Sequence, residues 1–374
     1  MNRPIGWILF AILALVGLVG VFLRFTSSRD LAAYGSYIPW GLWVATYIFF
    51  AGLSAGAYAV AVLGHVFGVQ KLKPLAPLAL ALALACLGAA LVTVWFDLGH
   101  MERVFYLFIR PHFTSMMAWM VWLYTAYALT VLLALYGLWR GNPHLTRMAL
   151  TVGTPLVVFY PGAAGALFGT VVAQSLWHSP VFPVLFLFGG MLSGVALVTF
   201  ASAFFTRRDD PGYAERVYLL GRLTLSLLAF YLLLEWAEYS IPMWYQVGHA
   251  FEALMGVLFG PFWFVFWIFH ILLGMVVPLF LLVRYPRNPL AVGWAGFWAA
   301  SMFLAVRLNL VIPSQVQPQL EGLVNAYRDR RLSYSYFPTL FEWSVVAFSV
   351  ALAFAIAYAV LWFLNREKKL EVTR

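Results

Sequence analysis

PWGLWVATYIFFAGLSAGAYAVAVLGH, residues 39–65, contains no Asp, Glu, Lys or Arg. A membrane-spanning helix needs about 20 mainly apolar residues, and this stretch exceeds that within a span over 38–67. Nine further stretches qualify, at 5–23, 75–97, 113–139, 148–173, 181–205, 217–239, 250–283, 290–311 and 339–364. The first begins with Arg3 and an apolar run, as a signal peptide would. However, the run is long, ends at Arg24 and has no small-x-small cleavage site after it, so it reads as a retained helix. The expected fold is an all-α integral membrane protein of ten helices. Composition agrees: 64% of residues are hydrophobic and 10% charged, against about 45–50% and about 25% in soluble globular chains. A soluble or disordered protein is excluded. The lone Cys86 excludes disulfides, thiolate-held iron–sulfur clusters and covalent haem c within this chain.

With ten spans, both termini share one face. Arg3, Lys71, Lys73, Arg140, Arg147, Arg207, Arg208, Arg216, Arg222, Arg284, Arg287, Arg366, Lys368, Lys369 and Arg374 fall on it. Only Arg24, Arg29, Arg103, Arg110, Arg328, Arg330 and Arg331 fall opposite, and Arg307 lies inside a span. The positive-inside rule puts the termini in the cytoplasm. It also explains the net charge of +9 without nucleic acid as a partner. The outer face carries the longest loops, 24–37, 98–112 and 312–338, and is the expected docking surface.

AGLSAGA at 51–57 and GGMLSGV at 189–195 hold paired small residues, Gly52/Gly56 and Gly190/Gly194, of the kind that lets helices pack closely in lipid. Asp97 follows Gly56 by 41 residues and Glu235 follows Gly194 by 41. His100 and Glu238 match at 44. Spans two to five and six to nine thus read as two four-helix units in a parallel repeat. The expected division is a flanking helix and loop (1–37), a first bundle (38–173), a second bundle (174–311) and a closing loop, helix and tail (312–374). Such repeats occur in transporters and in paired bundles generally.

An ionisable group in hydrocarbon costs at least ~2.5 kcal/mol on insertion scales, so it has a partner or a task. Such groups crowd the outer span ends. DLGHMER at 97–103 offers Asp97, His100, Glu102 and Arg103. His112, Gln174, His178, His249 and Glu252 follow. For Asp97 and Glu102 the plainer alternative is a solvated helix end with an ion pair to Arg103. Glu235 and Glu238, three apart, share a helix face. Either they pair with Arg307, or one of them is carried protonated; both arrangements can pass protons. His270 is a relay or a histidine bonded to a neighbour. Tyr47 and Tyr160 read as packing with tied-down hydroxyls. A membrane cytochrome b needs axial His pairs at matched depth on facing helices. The seven His form no such pair, so haem is not expected. No metal-ligand spacing, phosphate loop or nucleophile motif stands out.

Together these stretches resemble the NrfD/PsrC family of quinone-reactive membrane subunits, from about residue 37 to 364. PWGLWVATYIFFAGLSAG (39–56) resembles the family's first core helix, DLGHMERV (97–104) its Asp-Leu-Gly-Arg-Pro-x-Arg turn, and HFTSMMAW (112–119) its Ser-x-Met-x-Trp stretch. YPGAAGALFGT (160–170) resembles the Tyr-x-Gly helix, and WHSPVFPVLFLFGGMLSGVA (177–196) the Trp…Pro-x-Leu-Phe…Gly run. RLNL (307–310) and YSYFPTLFEW (334–343) resemble the longer, ten-helix branch with HybB- and DsrP-type subunits. Departures are His100 and Met101 where the family has Arg and Pro, and Tyr47 where some members carry His.

The resemblance implies a membrane subunit without haem, iron–sulfur cluster or metal of its own. It would exchange two electrons and two protons between menaquinone or ubiquinone, bound as substrate, and a ferredoxin-like, multi-cluster iron–sulfur subunit. That partner would dock on the outer face and carry a further molybdopterin, hydrogenase or other catalytic subunit. The location implied is a prokaryotic cytoplasmic membrane. Asp97 and His100 become the expected proton-exchanging pair. Tyr47, His112, Trp119 and Tyr160 are further head-group contacts, and Glu235, Glu238, His270 and Arg307 a proton path. Two rivals remain: a secondary transporter, with its site near the midplane, and a passive anchor of a redox enzyme.

Overall fold

The computed structural model of the protein describes residues 4–27, 30–318, 320, 322–326 and 329–372. Arg3, Arg29, Arg328 and Arg374, counted above for orientation, lie outside the described residues, as do the side chains of Arg330, Lys368 and Lys369. Among the described residues, ten helices are long and apolar enough to cross a membrane. They are α1 Pro4–Thr26, α2 Leu42–His65, α3 Ala76–Asp97, α4 Met116–Trp139 and α5 Pro143–Gly169. Then follow α6 Phe182–Phe205, α7 Tyr213–Tyr245, α8 Val265–Arg284, α9 Pro289–Val311 and α10 Leu340–Val372. No strand occurs among the described residues, and the protein is an all-α, multi-pass membrane protein.

The apolar run over 250–283 is not one helix. A short helix, Gly248–Phe259, comes first, and the chain breaks at Gly260 before α8 begins. Pro261 explains the break: it has no N–H to continue a helix, and it pushes the preceding residue out of helical geometry. Gly260 accordingly sits at φ −76° and ψ −167°. Composition alone does not reveal this, because no Asp, Glu, Lys or Arg falls between Glu252 and Arg284. Residues Val265–Val276 of α8 then wind as a π-helix, capped by an i→i+5 bond from Val277 N–H to Leu272 O. Segments of π-helix gather at functional sites, and His270 lies midway along this one.

Helix α2 is the centre of the molecule, buried along nearly its whole length. It packs on α3, α5, α6 and the outer half of α9, while α4 pairs with α5, and α6 with α9. Lipid supplies no hydrophobic drive for these contacts, so close packing must. The small-residue pairs serve that role where α2 crosses α6. A Cβ on Gly56 would fall 2.7 Å from Gly194 Cα and 2.5 Å from Gly190 O. Helices α1 and α10 pack together and lean on α3.

The N-terminal end of α2, on the face that the charge balance assigns to the outside and that is called outer from here on, is tied down by side chains from distant segments. Leu42 N–H donates to Tyr336 Oη at 2.8 Å, and Trp43 N–H to Tyr34 Oη at 3.2 Å. These are orphan donors of the first helical turn. Tyr336 Oη in turn donates to the Glu342 carboxylate, which is fully buried. Glu342 also accepts from Ala33 N–H at 2.9 Å, and it forms a capping box with Thr339 at the start of α10. Gln315 bonds both backbone groups of Trp40, whose ring stacks on Trp177 at 5.4 Å. The outer loops are thus a hydrogen-bonded cap over α2.

Candidate functional site

Polar side chains inside the helices gather in two places. The first is a column of tyrosines between α2, α4 and α5. Tyr47 and Tyr124 hydroxyls lie 2.5 Å apart. Tyr160 donates to Ala51 O at 2.6 Å, Tyr127 to Ser54 O at 3.0 Å, and Tyr58 to Ala149 O at 3.2 Å. The rings run on from one to the next, Tyr124 to Tyr160 at 5.3 Å, Tyr160 to Tyr127 at 4.7 Å and Tyr127 to Tyr58 at 5.2 Å. Tyr47 to Tyr58 covers about 16 Å along the helix axis. Tyr47 and Tyr160, both expected as head-group contacts, lie in one buried cluster. Tyr124 and Tyr127 complete it, and their i,i+3 spacing on α4 was the available signal.

Asp97 ends α3 and is 8% exposed. Arg24 reaches across from α1 and donates to Phe96 O at 2.8 Å and Leu98 O at 2.7 Å, fixing the backbone on both sides of Asp97. The Asp97 charge is felt by Tyr34 and Tyr336. Burial pushes the Tyr34 phenol well up, and Asp97, Tyr336 and Glu342 add to that. Burial likewise raises Tyr336, with Glu342 next and Asp97 contributing. The Asp97 neighbourhood is thus the capped outer end of α2.

His100 is placed elsewhere. It is exposed on the outer loop, with Nδ1 3.0 Å from Glu102 Oε1. Glu102 is held below the usual carboxylate range, first by its own backbone N–H and then by His100 and Arg103. Arg103 Nε stands 3.9 Å away, so Glu102 is the solvated helix end with a local ion pair. His112 and Trp119 are exposed too. His112 Nδ1 lies 2.6 Å from Thr114 Oγ1, and Trp119 Nε1–H donates to Phe113 O at 2.7 Å.

The second place joins α7, α8 and α9. His270 Nε2 lies 3.1 Å from Glu235 Oε2, and its Nδ1 3.3 Å from Asn309 Nδ2. The imidazole is wholly enclosed. So His270 has partners, and Asn309, two residues after Arg307, is the one that the sequence does not single out. Glu238 accepts from Ser179 Oγ at 2.8 Å. Both acids line a cavity of about 20 Å³ with Tyr231, Tyr239 and Asn309. Among the described residues, Arg307 pairs with neither acid. Its guanidinium carbon lies 4.3 Å from the Phe186 ring centre and 5.0 Å from that of Phe303. The cation is held on aromatic faces, because α9 turns it towards α6. Among the described residues its Nε and Nη1 have no hydrogen-bond acceptor, nor has the Tyr231 hydroxyl a partner.

Comparison with known proteins gives a concordant result. The family described as "Polysulphide reductase, NrfD" matches residues 31–319. The C subunit of the selenate reductase of Mesobacillus selenatarsenatis is 30% identical, covering 100% of this chain and 97% of its own. An Hdr-like menaquinol oxidoreductase integral membrane subunit of Archaeoglobus fulgidus is 28% identical over 93% of this chain and 90% of its own. The C subunit of the polysulfide reductase of Wolinella succinogenes is 27% identical over 67% and 85%.

Proposed function

The chain belongs to the NrfD polysulphide reductase family, and from that premise we propose that it is the quinone-reactive membrane subunit of a multi-subunit respiratory oxidoreductase. Relatives named as subunits of selenate reductase, polysulfide reductase and a menaquinol oxidoreductase support this reading. In it, the chain spans a prokaryotic cytoplasmic membrane with both termini inside. Its outer cap receives an iron–sulfur partner that a further catalytic subunit completes. Residues 38–173 and 174–311 act as two bundles.

The single observation that carries the proposal is the buried, hydrogen-bonded set of proton-exchanging groups. Quinol oxidation releases two protons for two electrons, so a site needs fixed carriers beside it. Asp97 at the outer end of α3 is the proposed carrier in the first bundle, and the Tyr47, Tyr124 and Tyr160 hydroxyls orient the ring. His100, His112 and Trp119, all exposed, belong to the outer rim of that site. Glu235, Glu238 and His270 form the proposed proton path in the second bundle. Arg307 contributes a buried positive charge to the same bundle.

The test is extraction from native membranes in mild detergent, with identification of co-purified chains and assay of quinol-linked turnover. A stoichiometric iron–sulfur protein, and a fall of about 10²-fold in turnover for Asp97→Asn, are expected. A well-folded chain that comes out alone would turn attention to transport. Unchanged turnover in Asp97→Asn would remove its role.

A further inference from the structure

A second cleft, of about 80 Å³, lies between the start of α8, the outer end of α9 and the start of α10. Phe262, Phe264, Phe337 and Trp343 form its aromatic walls, and Leu308 and Asn309 line it from α9. Phe262 and Phe337 stack at 5.9 Å with 10° between their planes. Asn309 also lines the smaller cavity that holds Glu235 and Glu238. It therefore stands between the aromatic cleft and the acids. The family match ends at residue 319, whereas Phe337, Pro338 and Trp343 come from the segment after it. The chain's last loop and helix thus supply one wall of the cleft.

The hydrogen bonds give the cleft a polarity. With His270 Nε2–H donating to Glu235, Nδ1 is left with a lone pair. Asn309 must then present its amide N–H to Nδ1, and Nδ2 indeed faces it at 3.3 Å. The Asn309 Oδ1 is left buried without a hydrogen-bond partner among the described residues, in a side chain only 1% exposed. A buried acceptor with no donor costs about 1–3 kcal/mol. A hydroxyl entering along the aromatic walls would remove that cost. Flat aromatic walls favour a planar ring by offset stacking.

We propose that this cleft is a head-group site for a hydroquinone ring, whose hydroxyl donates a hydrogen bond to Asn309 Oδ1, the amide being held in that orientation by His270 and, behind it, Glu235. The proposal rests on the quinone-linked reading above and adds to the first-bundle site a second one. An accepting Oδ1 selects the hydroxyl form of the ring over the carbonyl form. Asn309 is the contact, while His270 is a positioning residue that fixes the amide's orientation.

The experiment is photolabelling of the purified complex in lipid nanodiscs with an azido-naphthoquinol, followed by peptide mapping. Labelling is expected on peptides holding 262–265 and 337–343, competed by unlabelled 2,3-dimethyl-1,4-naphthoquinol. Asn309→Leu should cut it by about tenfold and leave labelling around Tyr47 and Tyr124 unchanged. Phe337→Ala, at a position 65% exposed, serves as a second variant that leaves the fold intact and should weaken the same label. Competed labelling confined to the first bundle would overturn the second site and spare the quinone reading. Labelling of the cleft that an azido-fatty acid reproduces and naphthoquinol does not compete would make it a lipid contact and overturn the site. No competed label anywhere, together with no quinol-linked turnover, would overturn both.

Discussion

Tyr336 shows how one hydroxyl can hold a helix end. It accepts from Leu42 N–H and donates to Glu342. Tyr336→Phe removes both bonds and leaves a buried donor and a buried carboxylate short of a partner, a loss of about 1–3 kcal/mol. Thermal unfolding in detergent should show a lower midpoint for this variant. The same phenol, with Tyr34, is raised above its ordinary pKa by burial. A raised folded-state pKa means that the unfolded chain releases the proton first as pH rises. Their contribution is therefore complete below pH about 10 and is lost above it. Alkaline titration of the melting midpoint should show the decline, with a smaller one in Tyr336→Phe. In the second bundle, the Glu235→Gln, Glu238→Gln double variant should slow proton uptake during turnover by about 10²-fold. Unaltered uptake would mean that the path runs elsewhere. Of these residues, the acids were legible in the sequence because a charge in an apolar run is conspicuous. Asn309 and Tyr124 were not, since an amide or a phenol in a span is common and only its neighbours give it meaning.

At the scale of the helix, the crossing of α2 and α6 is the contact most open to test. A Cβ on Gly194 would lie 2.5 Å from both Gly56 Cα and Ala57 N, all of it backbone that cannot rotate away. Gly194→Val should therefore separate the two helices, at a cost of about 1–3 kcal/mol or more. Size-exclusion profiles and yield from the membrane would register it. Gly162→Ala is the control, because its nearest neighbour would be Pro183 O at 3.9 Å. The sequence pointed to this crossing through Gly52, Gly56, Gly190 and Gly194, although not to which helix faced which. It pointed less well to α8. The break at Gly260 was available in the Gly-Pro pair, but the π-helix over Val265–Val276 had no local signal.

For the whole molecule, the outer and inner faces differ in what they carry. The inner face has short turns, such as the one at Asp210, whose carboxyl is held low by Gly212 N–H and then by Arg216. Lys71 there pairs with Glu215 at 2.7 Å, joining the first inner loop to α7. The outer face has the long, mutually bonded loops. If the basic inner face is cytoplasmic, a Cys in place of Arg103 should react with a membrane-impermeant maleimide on intact cells. A Cys in place of Arg140 should react only after permeabilisation. The native Cys86 is buried and should stay silent in both. The opposite pattern would invert the protein and move the docking face to the cytoplasm.

The ten spans, the all-helical class and the family could be read along the chain, because hydropathy and motif spacing are properties of the chain itself. The sequence also marked most of the ionisable groups that lie inside the membrane. Tertiary structure alone decided their company. Arg307 was free to meet Glu235, but α9 turns it onto Phe186 and Phe303, and the acid takes His270 instead. His100 and Asp97, three residues apart, end in different surroundings, one exposed and one buried. The reason is physical. Burial in lipid is a property of a segment, read from its own residues, whereas a hydrogen bond needs a second segment at the right depth and rotation. Only the packing of the helices fixes both.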